Sequence, residues 1–308
     1  MSADPAHRHL HDELIAAGLL TSTGVPGLYG RLSTFESILL ALDAYLSAEL
    51  ESDPAEFMRF PPVIPRAIIE RSGYLKSFPH LAGTVFSFSE DEKRHQQLLG
   101  HVERGEDWSS LQTMTDAALV PAACYPVYPY VASQGRLPEG GRTIDVASYC
   151  FRHEPSDDPG RMQSFRMHEH VRVAEPEVVA AWREEWIPAG QRILGRLGLD
   201  TPAEPASDPF FGRGGRMLAA NQRDEGLKFE LVHPIASRDR PAAIMSINYH
   251  EGHFAEIFGI ETSTGEAAHT ACLGFGLERV TLALFVEHGY EPDGWPGEVR
   301  QLLGLESR

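Results

Sequence analysis

Two neighbouring stretches of the chain hold the side chains best suited to chemistry. In the first, Tyr149 to Glu154, a strand puts Cys150, Arg152 and Glu154 on one face, because side chains alternate with period two. An arginine can grip a phosphate as a two-pronged fork, and a carboxylate two residues on accepts from an amino group. A loop follows, Pro155 to Met162, carrying Asp157, Asp158 and Arg161. The next strand then sets Phe165, Met167 and Glu169 on one face, and an aromatic ring beside Arg and Glu suits a flat purine. Taken alone, these residues serve more simply as an exposed cross-strand ion pair. Near the end of the chain, Gly274, Gly276 and Arg279 open an apolar helix, where glycines permit close approach and a helix N-terminus favours an anion. By itself that reads first as a tight strand-to-helix turn. The glycines of FGRGGRM, Phe211 to Met217, lack a Gly-Lys-Ser/Thr ending and read as a turn.

The elements that must position these groups follow from periodicity. Ser33 and Glu36 form a capping box, after which Phe35, Ile38, Leu39, Leu42, Leu46 and Leu50 recur at helical spacing. A second helix follows Pro65 through Arg71, and a third runs from a Ser89 cap with Glu92 to about Arg104, so residues 1–118 read as mostly helical. From 119 onward the runs CYPVYPYV, RTIDVASYCFRHE and MQSFRMHEHVRV read as antiparallel strands, as do KFELVHPI, AAIMSINYH and HFAEIFGI. Glu177 to Leu197 is helical with Pro188 inside it, Asp200 to Gly215 is a connection, and Gly274 to His288 is a helix with Leu277, Val280, Thr281, Leu284 and Phe285 on one face. The sum is one α+β domain over 1–308, an antiparallel β-sheet flanked by helices.

Composition narrows the partners. Twenty-seven basic residues face 44 acidic ones for a net charge of −17, and only Lys76, Lys93 and Lys228 are lysines, so a polyanion must meet a local arginine patch. No apolar run approaches the ~20 residues of a spanning helix and the N-terminus carries no secretion signal, which predicts a cytoplasmic protein with no membrane partner. The three cysteines, Cys124, Cys150 and Cys272, are too few and too scattered for a disulfide framework.

Together, Arg-x-Glu, a loop, Phe165 and a late Gly-x-Gly-x-x-Arg resemble motifs 2 and 3 of class II aminoacyl-tRNA synthetases. The resemblance implies that Arg152 binds the α-phosphate of ATP, Phe165 stacks on adenine with Glu154 beside it, Arg161 and Met162 lie over the nucleotide, and Arg279 binds the γ-phosphate. Cys124, Glu169 and Cys272 stand where the atypical, zinc-dependent seryl-tRNA synthetases of methanogens have their ligands, which implies one Zn2+ per subunit and a fourth position open for the substrate's amino group. By spacing alone each cysteine reads as a buried thiol. His168 and His170 alternate to the opposite face from Glu169; they, together with His153, His250, His253 and His269, read as structural, and Cys150 as a core thiol.

A seryl-tRNA synthetase carries a large N-terminal tRNA-binding domain, and no sustained heptad arm is present before Cys124. The chain is more similar to the amino acid:[carrier protein] ligases, and GYLKSFPHLAGTVFSF (73–88) and SDPFFGRGGRMLAANQ (207–222) resemble that family too. Membership implies a homodimer that activates glycine or alanine with ATP and Mg2+ as an aminoacyl-adenylate. It then transfers the aminoacyl group to the phosphopantetheine thiol of a carrier protein, not to tRNA. It further implies Lys228 and Ser246 near ATP and Asp208 near the substrate amine. Ala243 stands where synthetases hold a metal-binding carboxylate; Glu230 and Glu256 are the candidates to replace it. The competing readings are a paralogue that charges tRNA and an inactive regulatory module. Arg183, Arg192 and Arg196 read either as a basic contact for an acidic carrier or as a solvated helix face.

Overall fold

The computed structural model describes residues 5–88 and 92–305. Its centre is a seven-stranded sheet flanked by helices. We number only the elements that build the site: helix α1 (Ser33–Leu50), β1 (Glu56–Arg59), α2 (Val127–Ser133), β2 (Arg142–Phe151), β3 (Ser164–Ala174), α3 (Pro176–Arg196), β4 (Ala203–Pro205), α4 (Gly212–Asp224), β5 (Lys228–His233), β6 (Ala242–Glu251), α5 (His253–Phe258), β7 (His269–Gly276) and α6 (Leu277–His288). The spatial order is β1-β2-β3-β7-β6-β5-β4. Every pair is antiparallel except β1 with β2, so the sheet expected to be antiparallel is a mixed one with a single parallel edge.

Alternation along the central strands divides the core in two. Leu273 and Phe275 of β7 and Met245 and Ile247 of β6 pack under α1, α3 and α6. Ile144, Val146, Val171, Val173 and Cys272 face the other way, against α2, α5 and a small sheet. Phe35, Ile38, Leu39, Leu42, Leu46 and Leu50 of α1 are all buried, as their spacing predicts. The buried face of α6 likewise includes all five residues expected there.

Several elements differ from the sequence reading. Residues before 119 alternate helices with strands: Val63–Pro65 and Thr84–Phe88 flank Gln112–Leu119 in a three-stranded sheet, and Leu20–Ser22 pairs with Tyr29–Arg31. Four of these strands have only three to five residues, too few to show a period, and the eight of Gln112–Leu119 do not alternate regularly between buried and exposed. The helix Glu92–Arg104 is present, whereas its Ser89 cap lies outside the described residues. Helix α1 starts at Ser33 with Leu32, which has no side-chain acceptor, at the cap position, and Glu36 pairs with Arg166 of β3, at 2.6 and 2.8 Å. CYPVYPYV contains helix α2: Pro126 sets the entry, and Val127, Tyr128 and Val131 share the buried face. HFAEIFGI contains helix α5, with Phe254 and Ala255 buried and Gly259, at φ 78°, ending it in the left-handed region. FGRGGRM opens helix α4 and is not a turn, and the connection 200–215 contains strand β4. Gly274 and Gly276 belong to β7, so the last helix starts at Leu277. Helix α3 runs unbroken through Pro188.

Candidate active site

A cavity of about 520 Å³ lies on the face of the sheet opposite α1, α3 and α6, within the range of small-molecule sites. Strand β2 ends at Phe151, so Arg152 and Glu154 leave its tip, held in register by the Arg152 amide donating to Gln163. Both line the cavity; Cys150, one step back inside the strand, is buried beneath it. Phe165, Met167 and Glu169 of β3 share the cavity wall, as alternation requires. His168 points away, between Asp43 (2.7 Å) and Asp145 (2.8 Å). Burial alone would lower its pKa, but the two carboxylates outweigh that and push it up to about 9. His170 likewise faces Asp53, Trp182 and Trp186.

Arg152 sits 5.3 Å from the Phe165 ring centroid, donates through Nε to the Pro121 carbonyl and places Nη2 3.9 Å from the Met167 sulfur, with the end of the guanidinium at the cavity. Arg279, in the first turn of α6, donates to the carbonyls of Gly160 (2.6 Å) and Ala243 (3.0 Å), joining the loop after β2 to strand β6. Burial, then the like charges of Arg152 and Arg161, pull Arg279 below its ordinary value. A cavity that gathers repelling guanidinium groups is built to bind anions. Behind the arginine, Glu278 is 2% exposed and accepts from the Arg166 amide and guanidinium and from Arg31, so Arg166 couples α1, β3 and α6 just where Arg279 departs.

Lys228, Asp208 and Glu230 form a second charged group, with Lys228 Nζ 2.7 Å from Asp208 and 3.0 Å from Glu230. Burial would raise Asp208; Lys228, a hydrogen bond from Gln222 and the Arg152 charge outweigh it and hold the carboxyl below its usual range. Met162, Ser246 and Ala243 line the cavity too. Of the two carboxylates considered in place of Ala243, Glu230 is in the wall, whereas Glu256 is an exposed residue of α5 outside it. Arg161 is also outside the wall, 58% exposed and paired with Glu154 and Asp158.

At the deep end, donor atoms of Cys124, Glu169 and Cys272 all lie within 4.8 Å of one another, and all three residues are buried. Cys124 precedes α2, Glu169 is in β3 and Cys272 in β7, two positions before Gly274, which pairs with Glu169 in the sheet. A Cβ on Gly274 would come within 3.0 Å of Met167 Cε and 3.2 Å of Glu169 Cγ, so any larger residue there would press on both side chains. Glu169 accepts from the amides of Ala123 (2.7 Å) and Cys124 (3.1 Å), and burial, with Cys272 alongside, pushes it up to about 7. The Cys124 thiol donates to Cys272, which holds Cys272 well below and Cys124 well above the ordinary thiol value. Two sulfurs and a carboxylate crowded in this way are a donor set suited to zinc, and three protein ligands are the number a catalytic site uses.

Sequence reasoning missed Tyr74, Tyr125, Asn248 and His250, which also line the cavity. His250, read as structural, places Nε2 3.7 Å from the Cys272 sulfur. Asn248 had a signal: it alternates onto the same face as Ser246, and it pairs with Cys272 across the sheet. Tyr74 lies in a four-residue helix, too short for any pattern.

No family model matches the chain. It is 45% identical over 304 residues to amino acid–[acyl-carrier-protein] ligase 1 of Bradyrhizobium diazoefficiens, covering 99% of this chain and 91% of that protein. It is 46% identical over 291 residues to ligase 2 of the same organism, covering 94% and 87%. The type-2 serine–tRNA ligase of Methanopyrus kandleri is 30% identical over 268 residues, covering 79% of this chain and 50% of that one. Among solved structures, M. kandleri seryl-tRNA synthetase in complex with A. aeolicus tRNASec superposes with a TM-score of 0.82 at 21% identity over 96% of this chain. Seryl-tRNA synthetase from Pyrococcus horikoshii complexed with ATP gives 0.69 at 16% over 99%. The chain spans 60% and 64% of those two structures. The fold is that of the class II aminoacyl-tRNA synthetases.

Proposed function

The chain belongs to the amino acid–[acyl-carrier-protein] ligases, a family of enzymes, and from that premise we propose that it activates glycine or alanine with ATP and loads it on a carrier protein's phosphopantetheine thiol. The observation that carries this reading is that one cavity joins a pair of half-buried arginines to a donor set of two cysteines and a glutamate. Arg152 receives the α-phosphate over Phe165, which stacks on adenine, with Glu154 and Met162 beside the base, Arg161 at the rim and Arg279 at the γ-phosphate. Lys228 orients Glu230 and Asp208, and Glu230 is the carboxylate for the Mg2+ that accompanies ATP near Ser246. Cys124, Glu169 and Cys272 would hold one zinc ion, which supplies an open coordination position for a neutral α-amino group.

The amino acid's carboxylate then faces the α-phosphate. Its oxygen attacks phosphorus, pyrophosphate leaves, and the arginines stabilise the charge that develops in the transition state. In the second step the carrier's thiolate sulfur attacks the acyl carbon, the acyl–oxygen bond to AMP breaks, and a thioester remains. Residues 1–308 act as one catalytic unit in this scheme.

The carrier must dock where the cavity opens. Arg183 donates to the Gly226 carbonyl and pairs with Glu184, and Arg196 pairs with Glu49, so those two guanidiniums are engaged within the chain. Helix α4 is a better candidate: Leu218, Asn221 and Gln222 line the cavity while Arg213, Arg216 and Met217 are exposed beside it. With Arg213→Glu and Arg216→Glu combined, loading of an acidic phosphopantetheinylated carrier is expected to fall about tenfold or more, while amino-acid-dependent ATP–pyrophosphate exchange stays within about twofold. Parallel losses in both assays would place the carrier elsewhere. Zinc-replete wild-type protein that exchanges with no amino acid, or that loads tRNA instead of the carrier, would overturn the function itself.

The subunits pair through the parallel edge of the sheet. Phe57 of β1 is 67% exposed and Leu40 of α1 55%, an apolar edge of the kind a second copy covers. Phe57→Asp is expected to convert the dimer to a 34.1 kDa monomer by light scattering. A wild-type monomer, or a variant that stays dimeric, would remove this assignment.

A further inference from the structure

Two thiolates and a carboxylate bring three negative charges to a divalent ion, one more than it neutralises, so the groups that donate to the ligands set how strongly the ion still attracts a neutral amine. Two of the three ligands have such donors. Glu169 accepts the two backbone amides of Ala123 and Cys124. The Cys272 sulfur lies 3.8 Å from Asn248 Nδ2 and 3.7 Å from His250 Nε2. His250 Nδ1 is 3.1 Å from the Thr270 hydroxyl, so the tautomer with Nε2 protonated donates to sulfur and accepts from threonine.

The third ligand, Cys124, lies in the turn that leads into α2, and Tyr128 follows in the first turn of that helix. Tyr128 is among the largest fully buried side chains of the protein; its hydroxyl makes no hydrogen bond of ordinary geometry among the described residues, and Cys124 is the side chain that comes nearest to giving it one. Its ring is fixed, stacked on Phe254 at 4.0 Å and 8° and edge-on to His250 at 6.1 Å. A buried donor without an acceptor is costly and rare in folded proteins.

We propose that Tyr128 is a positioning residue of the metal centre: its hydroxyl donates to the Cys124 thiolate and completes an outer shell in which every protein ligand has its own donors. The proposal rests on the reading of Cys124, Glu169 and Cys272 as zinc ligands. A thiolate that accepts a hydrogen bond gives less charge to the ion, which keeps the open position receptive to an amine.

Tyr128→Phe removes only the hydroxyl. Its zinc affinity, measured by competition with a chromophoric chelator, is expected to fall by about 10–100-fold, because the hydroxyl holds the Cys124 sulfur in place and offsets the site's excess negative charge. In Co2+-substituted protein the thiolate-to-cobalt band is expected to move to longer wavelength, a change that mere loosening of the core does not produce. Asn248→Ala, at a cavity-lining position, reads the same shell at Cys272 with the same direction of shift. Zinc affinity within about twofold of wild type, with unmoved cobalt bands in both variants, would overturn the proposal. Wild-type protein that takes up neither ion would sink the metal reading beneath it.

Discussion

Cys272→Ser is expected to bind no stoichiometric zinc and to lose at least about a hundredfold in amino-acid-dependent ATP–pyrophosphate exchange, since the loss of a direct ligand exceeds the effect of removing an outer-shell partner. A serine hydroxyl is smaller than a thiol and does not ionise at neutral pH, so it cannot take the place of a thiolate. The Cys124 thiol, which donates to it, and His250 alongside hold the Cys272 thiol well below its ordinary value. The substitution removes that sulfur from the middle of β7 without touching the arginines at the other end of the cavity. Binding of ATP alone should therefore persist, and the defect should appear only when an amino acid is required. Metal analysis together with exchange kinetics decides the matter: a Cys272→Ser protein with one zinc per chain and normal exchange would end the zinc assignment.

The second large effect is expected for Arg152→Lys. Lysine keeps the charge but replaces a planar fork with a point, and the fork is what the position uses: Nε is committed to the Pro121 carbonyl, and the plane lies over Phe165. Groups that meet charge developing in a transition state contribute about 10²–10³ in rate, so kcat for exchange should fall by that factor. The Kd for a non-hydrolysable ATP analogue should change far less, because lysine still neutralises a ground-state phosphate. A drop confined to the Kd would mean that Arg152 contributes uniform binding and does not act on the reacting phosphorus.

How much of this was legible beforehand depended on whether a pattern was local. The period of two along β3 separated Phe165, Met167 and Glu169 from His168 and His170 with no structure at hand, because a strand buried on both faces cannot slip register. The apolar faces of α1 and α6 were equally plain. CYPVYPYV and HFAEIFGI misled because their β-branched and aromatic side chains favour strands only weakly, and both segments instead form short helices that pack together through Tyr128 and Phe254. Glu36 sits in a local capping pattern but makes a bidentate pair with Arg166, on a strand far along the chain, and such a contact leaves no trace in spacing. Tyr128 and His250 were invisible as site residues for the same reason: what matters is the sulfur each one faces.

The position of β7 bears on how the chain reaches this state. It is the last strand in sequence, yet it lies at the middle of the sheet, between β3 and β6. A nascent chain that has not yet delivered His269–Gly276 holds the sheet as two separate halves, β1-β2-β3 and β6-β5-β4, whose facing edges are unpaired and open to other chains. The same strand carries Cys272 and leads directly into Arg279. Closing the sheet, bringing Cys272 beside Cys124 and Glu169, and setting Arg279 at the cavity are thus one folding event.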